Sequence, residues 1–262
     1  MEKAIKRYSP VFVLPTLLAF MIGFIIPFIQ GLYLSFCQFT TVKDAKFIGI
    51  GNYQRIFTDS TFTNSFKFTV LFAVASIVLI NVIAFILALL LTRKLKGTNI
   101  FRTIFFMPNL IGGIVLGYIW QLLINGVLAH FNVTITADPK YGFWGMVILT
   151  NWQLIGYMMI IYIAGIKNIP TELIEAAEID GANKFQTLYK IIIPMTMPSV
   201  TICLFLTLTN CFKLFDQNLA LTAGGPAKKT AMLAYDIYTT FYNRNGWEGV
   251  GQAKAVIFFI IV

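Results

Sequence analysis

Residues 66–92 read FKFTVLFAVASIVLINVIAFILALLLT, a run of 27 residues that is apolar almost throughout. A helix needs about 20 mostly apolar residues to cross the hydrocarbon core of a bilayer, so this stretch predicts a membrane-spanning helix. Working outward from it, four further runs of spanning length stand at 11–36, 104–125, 143–166 and 197–221. Another opens near Val250 and is still apolar at Val262. Those 13 residues would fall short of a crossing, so this span is expected to continue past the given sequence. The pattern predicts an all-α integral membrane protein, a single transmembrane domain over 1–262 with about six spans.

Composition agrees. Hydrophobic residues make up 58% of the 262 and charged residues 12%, with a mean hydropathy of +0.77. A soluble domain carries roughly 25% charged residues to cover its surface, so lipid rather than water is the solvent for most of this chain. The net charge of +9 comes from basic residues in short clusters between apolar runs, with no basic face to track phosphates; nucleic acid is not an expected partner. Cys37, Cys203 and Cys211 lack paired spacing and read as buried thiols, neither disulfide nor metal site. One histidine, His130, and scattered carboxylates give no triad or metal spacing. No catalytic constellation and no cofactor is expected in this chain.

The run from Val11 to about Phe36 is too long for a signal-peptide core and lacks a small-residue cleavage site, so it reads as a retained first span. Lys3, Lys6 and Arg7 precede it. Arg93, Lys94, Lys96 and Arg102 come back to the same side after two crossings, and Lys167, Lys184 and Lys190 after two more. The positive-inside rule makes that side, and the N-terminus, cytoplasmic in a multi-pass protein of the plasma membrane. Segments 37–65 and 222–249 then lie outside. Pro15 and Pro27 punctuate the first span, and Pro108, Gly112, Gly113 and Gly117 the third. Such breaks persist in lipid where neighbouring helices or a water-filled cavity satisfy the freed backbone groups, or where small residues let helices touch.

The segment Ile169-Pro-Thr-Glu-Leu-Ile-Glu-Ala-Ala-Glu-Ile-Asp-Gly-Ala-Asn-Lys-Phe-Gln-Thr-Leu-Tyr-Lys-Ile-Ile-Ile-Pro194, in the cytoplasmic loop 167–196, is too structured for a plain connector. Pro170 suits a first helical turn. Glu172, Glu175, Glu178 and Asp180 share that helix with Leu173, Ile174, Ala176 and Ala177. Gly181 is positioned as its C-terminal cap, where a left-handed conformation is wanted. Asn183 and Gln186 have the spacing of a capping box that opens a second short helix, and Pro194 is expected to stop it. Two capped helices around small alanines make a docking element for another protein.

This segment resembles the "EAA" loop of permease subunits in binding-protein-dependent ABC importers. Glu175, Ala176, Ala177, Gly181 and Ile193-Pro194 match that pattern in spacing, and Leu221-Thr-Ala-Gly-Gly-Pro226 stands where the carbohydrate branch carries a similar run. Similarity to the maltose-importer permease type covers about 104–258 and, more loosely, the rest. The resemblance implies a type I ABC importer permease fold and a role as the channel subunit that moves a sugar or oligosaccharide inward by alternating access. It implies as partners a second homologous permease in a heterodimer, two cytoplasmic ATPase subunits and an extracytoplasmic sugar-binding protein. The loop would be a coupling helix seated in the ATPase. Glu175 would supply polar contacts, Ala176 and Ala177 close approach and Gly181 the turn, with Glu172, Asp180 and Pro194 also among the ATPase-coupling positions. The chain has no Walker-type GxxxxGK[ST] sequence, so ATP and Mg would be bound by the partner.

Polar groups inside spans are costly and point to a pathway or a helix contact. Thr150, Gln153 and Tyr157 share one helical face, as would Asn210, Lys213 or Leu214, and Gln217; Asn109 follows Pro108. Amides plus aromatic faces suit an uncharged sugar. The maltose-type resemblance implies sugar contacts at Asn109 and Gly113, at Thr150, Gln153, Leu154 and Tyr157, and at Asn210, Cys211 and Leu214. Tyr157 keeps that type's aromatic while several others differ. Lys213 and Asp216 either pair at i, i+3 or meet an ionic group on substrate or partner permease. Two other readings stand. Cargo could be glycerol-phosphate or another polar metabolite within the same architecture. An ion-coupled secondary transporter would call for inverted repeats and intramembrane carboxylates, and only Asp216 fits.

Overall fold

Lipid offers no water to a free N–H or C=O, so apolar chain closes its hydrogen bonds inside helices. The computed structural model, which describes residues 2–93 and 96–262 with side chains from residue 11, follows this rule nearly everywhere. Its helices are α1 Glu2–Phe20, α2 Ile26–Leu34, α3 Gly51–Thr58, α4 Ser60–Leu91, α5 Thr98–Phe106, α6 Gly113–Leu128 and α7 Pro139–Lys167. There follow α8 Thr171–Ile179, α9 Lys184–Thr187, α10 Ile193–Phe212, α11 Asp216–Leu221, α12 Leu233–Asn243 and α13 Glu248–Ile261. The strands β1 Cys37–Gln38 and β2 Lys46–Phe47 form one small antiparallel pair.

Five helical stretches are long and apolar enough to cross a membrane: Val11–Leu34, Ser60–Leu91, Gly113–Phe131, Pro139–Lys167 and Lys184–Phe212. The first two and the fourth sit where the apolar runs place them, and α13 opens within two residues of the expected sixth. The third and fifth do not. Helix α5 ends at Phe106, a 3-10 turn covers Met107–Leu110, and Ile111 and Gly112 are extended before α6 begins at Gly113. Pro108 supplies no donor and Gly112 no side chain, so the helix breaks inside the run expected at 104–125. The run expected at 197–221 likewise leaves the helix at Lys213 and resumes as the separate α11. Asn218, Ala220 and Leu221 are buried in protein there, which apolar composition alone does not distinguish from lipid. Pro194, expected to stop the helix after Asn183, does not. A π-helical turn over Leu188–Ile192 runs directly into α10, and Pro194 follows it as α10's second residue, where the irregular hydrogen-bond ladder accommodates the missing N–H. The side chains of Lys3, Lys6 and Arg7, and Lys94 altogether, lie outside the described residues.

The chain forms two compact units, residues 63–235 and the remainder, 2–62 with 236–262. In the larger, α7 is the central element, packed by α5, α6, α10 and α11. One apolar cluster joins Phe72, Leu116, Met146, Leu149, Cys211 and Leu221, and a second joins Ile80, Met158, Tyr162, Ile163 and Cys203. Gly156 lets α7 lie directly on the backbone of α5, since a Cβ there would collide with the Phe105 carbonyl. All three cysteines are buried free thiols.

In the smaller unit α13 packs on α2 and α3. Its organising feature is a fully buried lysine. Lys254 Nζ donates to Asp59 Oδ2 at 2.8 Å, Asp236 Oδ2 at 2.7 Å and Thr240 Oγ1 at 2.9 Å, which uses all three ammonium protons. Arg244 reaches the same Asp59 oxygen at 3.3 Å. Burial pushes the Asp59 carboxyl up, but hydrogen bonds from Lys254 and Thr61 outweigh it and hold the group below the usual carboxylate range. At the β-turn, Asp44 accepts the N–H groups of Thr41 and Thr40 at 2.9 and 3.1 Å, which lowers its carboxyl pKa as well. Losing one partner of a buried ion pair leaves an uncompensated charge. Lys254→Met is therefore expected to destabilise the protein by about 3–5 kcal/mol in thermal melts. Adding Asp236→Leu should restore a good part of that loss, and a single variant that melts like the parent would contradict this account.

Candidate functional site

Two constellations in the larger unit carry the functional expectations. The first is the connection between α7 and α10. Asn168 closes α7, Ile169 is buried, and Pro170 takes the extended N-cap position one residue ahead of α8 rather than its first turn. Helix α8 ends in a left-handed Gly181 at φ +78°, with the Gly181 N–H on the Glu178 carbonyl at 3.1 Å and the Ala182 N–H on Ala177 at 2.9 Å. These bonds satisfy carbonyls that the helix end orphans. The capping box then forms as its spacing implies. Gln186 N–H donates to Asn183 Oδ1 at 2.9 Å, and Asn183 N–H donates to Gln186 Oε1 at 2.8 Å.

The element is stiff, and it presents side chains that water does not favour. Ile179 is 86% exposed, Phe185 74% and Tyr189 67%. Glu172, Glu175, Glu178 and Asp180 are exposed around them, as is Ala176, while Ala177 is half-buried. Apolar anchors inside a charged rim are the anatomy of a protein-docking face.

The second constellation is a cavity of about 290 Å³ where the two broken spans meet α7. Asn109 comes from the 3-10 turn, Thr150, Gln153 and Leu154 from α7, and Asn210 from α10; the break 213–215 and the first turn of α11 close it. Helix α11 is set against α6 by Gly113 and Gly117, where a Cβ would lie 2.7 Å from Asp216 Cβ and 2.5 Å from Ala220 Cβ. Gln217 Nε2 donates to Gln153 Oε1 at 2.8 Å, and Gln153 Nε2 donates to the Ile111 carbonyl at 3.3 Å. That chain of amides ties both breaks to α7. Thr150 has a buried hydroxyl with no hydrogen-bond partner.

The structure thus gathers Asn109, Thr150, Gln153, Leu154, Asn210 and Leu214 around one space, and adds Phe215 and Gln217. It leaves out Cys211, which is fully buried in the apolar core, and Tyr157, which packs near Phe106 at 6.5 Å between ring centroids. Gly113 acts through close packing on α11. Lys213 and Asp216 do not pair with each other: the helix ends between them, so the i, i+3 geometry is lost.

The Leu221–Pro226 run is stapled by one residue. Asn218 Nδ2 donates to the Thr230 carbonyl at 2.8 Å and Asn218 Oδ1 accepts the Met232 N–H at 3.0 Å. Thr230 Oγ1 adds bonds to Thr222 Oγ1 at 3.0 Å and to the Gly225 carbonyl at 2.5 Å. Orphaning these buried groups costs about 1–3 kcal/mol each. Asn218→Ala should therefore make 222–232 the first site of limited proteolysis and lower the melting temperature; an unchanged cleavage pattern would refute the staple.

Residues 96–262 match the family model described as binding-protein-dependent transport system inner membrane component. The chain is 47% identical over 259 residues to a probable starch degradation products transport system permease protein of Thermoanaerobacterium thermosulfurigenes, covering 96% of this chain and 88% of the relative. It is 30% identical to a multiple sugar-binding transport system permease protein of Streptococcus mutans, covering 98% and 92%. A crystal structure of a bacterial ABC transporter involved in the import of the acidic polysaccharide alginate superposes with a TM-score of 0.83 at 22% identity, covering 99% of this chain and 93% of that one. At that identity the likeness speaks to the fold. The chain belongs to the inner-membrane components of binding-protein-dependent transport systems, with the type I permease fold.

Proposed function

We propose that this chain is the channel subunit of an ATP-driven importer that takes a sugar or oligosaccharide from an extracytoplasmic binding protein into the cytoplasm. The observation that carries the reading is the capped α8–α9 connection with its exposed Ile179, Phe185 and Tyr189, continuous with the helix that reaches the cavity at Asn210. A partner that grips the loop therefore moves the cavity wall. That partner is a cytoplasmic ATPase. It binds ATP and Mg, and this chain performs no catalysis of its own. Two ATPase subunits and a second, similar permease complete the assembly, and the N-terminus is cytoplasmic.

Sugar is favoured as cargo by the cavity lining of amides and hydroxyls, and by relatives named for starch degradation products and multiple sugars. Glycerol-phosphate is named for other relatives, one in Agrobacterium fabrum at 30% identity over 95% of this chain. It fits the cavity less well, because among the described lining residues Lys213 is the single cation and Asp216 is an anion on the same wall. Closure of the ATPase pair would drive α8 and α9 together, and the spans would alternate between inward and outward openings.

Co-expression with its genomic neighbours, purification and an ATPase assay test the reading. An ATPase should co-purify, and a sugar-loaded binding protein should stimulate hydrolysis. A chain that purifies alone and moves solute on an ion gradient would overturn it. Gly181→Asp forces a side chain into a left-handed position and adds charge, so it should insert normally yet lose most of the stimulated ATPase and transport. Gly181→Asn, which tolerates that conformation, should keep far more of both. Equal activity in all three forms would exclude the capped turn as a coupling element.

A further inference from the structure

Resting on the reading of the cavity as the substrate pathway, we propose that Lys213 and Asp216 form a charge filter that confines the cargo to uncharged polyhydroxylated molecules. Both side chains line the cavity, both are exposed to it, and among the described residues neither has an ion-pair partner. Among the described residues they are the only charged ones on its wall, and their formal charges cancel. Their placement is not loose. Asp216 begins α11, which Gly113 and Gly117 seat against α6 and which Gln217 ties to Gln153 at 2.8 Å, while Lys213 sits at the end of α10 on the other side of the break.

An anionic ligand entering this space is drawn to Lys213 and repelled by Asp216. The attraction that should repay the removal of its hydration shell is therefore largely cancelled. A cationic ligand meets the same problem with the signs exchanged. An uncharged sugar carries little such desolvation cost. Its hydroxyls both donate and accept, so one face can donate to the Asp216 carboxylate while another accepts from the Lys213 ammonium, with Asn109 and Asn210 to complete the shell. A site with one charge would favour its counter-ion; a split pair held apart favours neither.

Removing one charge should therefore open the filter in a direction set by the charge that remains. The test uses the complete importer without its binding protein, purified with both permeases and ATPases, and follows ligand binding by saturation-transfer NMR. Three probes are compared: maltotriose, the same trisaccharide with one CH2OH oxidised to carboxylate, and an analogue with one hydroxyl replaced by ammonium. The parent complex should bind the neutral sugar at least about tenfold better than either charged analogue, the factor expected when one screened charge–charge contact is lost. Asp216→Asn should raise binding of the carboxylate analogue relative to maltotriose by about tenfold, and Lys213→Gln should do the same for the ammonium analogue. If the parent binds all three probes alike, or the variants leave the order unchanged, the filter is wrong while the cavity remains the pathway. If the parent complex binds no probe, including one it demonstrably transports in vesicles, the cavity reading fails and the filter with it.

Discussion

A peptide group that leaves a helix within the apolar zone must find its hydrogen bonds in protein, because lipid supplies none. That constraint organises the larger unit. Among the described residues its spans break at Ile111–Gly112 and at Lys213–Phe215, and Leu214 is buried at the second break. The Ile111 carbonyl takes a bond from Gln153, Gln153 takes one from Gln217, and α11 lies close on α6 through two glycines. Gln153, which satisfies the Ile111 carbonyl, also forms part of the cavity's polar wall. Covering the breaks and building a place for a polar solute are one structural solution.

The same unit contains a lever. From Lys184 to Phe212 the chain is helical without interruption, 29 residues with one π turn. At about 1.5 Å per residue that is a rod of roughly 43 Å. Its lower end is fixed by the Asn183–Gln186 capping box, and its upper end carries Asn210 and, past the break, Lys213. In the proposed coupling role, force applied at the capped loop would travel along this helix towards the cavity. The π turn, Pro194 and the interior Pro198 mark where this helix can bend.

Much of this was legible in the sequence, and the exceptions have physical causes. Long apolar runs identify spans because lipid demands them, and Gly181 and the Asn183–Gln186 pair were legible because caps are local interactions between residues a few positions apart. Pro194 misled because a local rule, that proline stops helices, yields where proline falls in a first turn after a π segment. The run 197–221 misled because hydropathy scores a helix buried in protein like one buried in lipid. Of the positions carried over from the resemblance, Asn109, Thr150, Gln153 and Asn210 line one cavity, while Cys211 lies in the apolar core, a difference of helical face that register alone does not reveal. The Asp59–Lys254–Asp236 cluster went unread. Lys254 is the only charge in the final apolar run, a signal in itself, but Asp59 lies 195 residues away and no spacing links them.

The most direct test of the account is site-directed cross-linking in the assembled importer, with single cysteines placed at Ala176 and Phe185. The native cysteines are all buried and can stay in place. Both positions should form covalent adducts with the ATPase subunit, with yields that change between nucleotide-free and ATP-bound states. Labelling of these cysteines by an impermeant reagent from outside the cell, with no ATPase adduct, would contradict the coupling role and the orientation together.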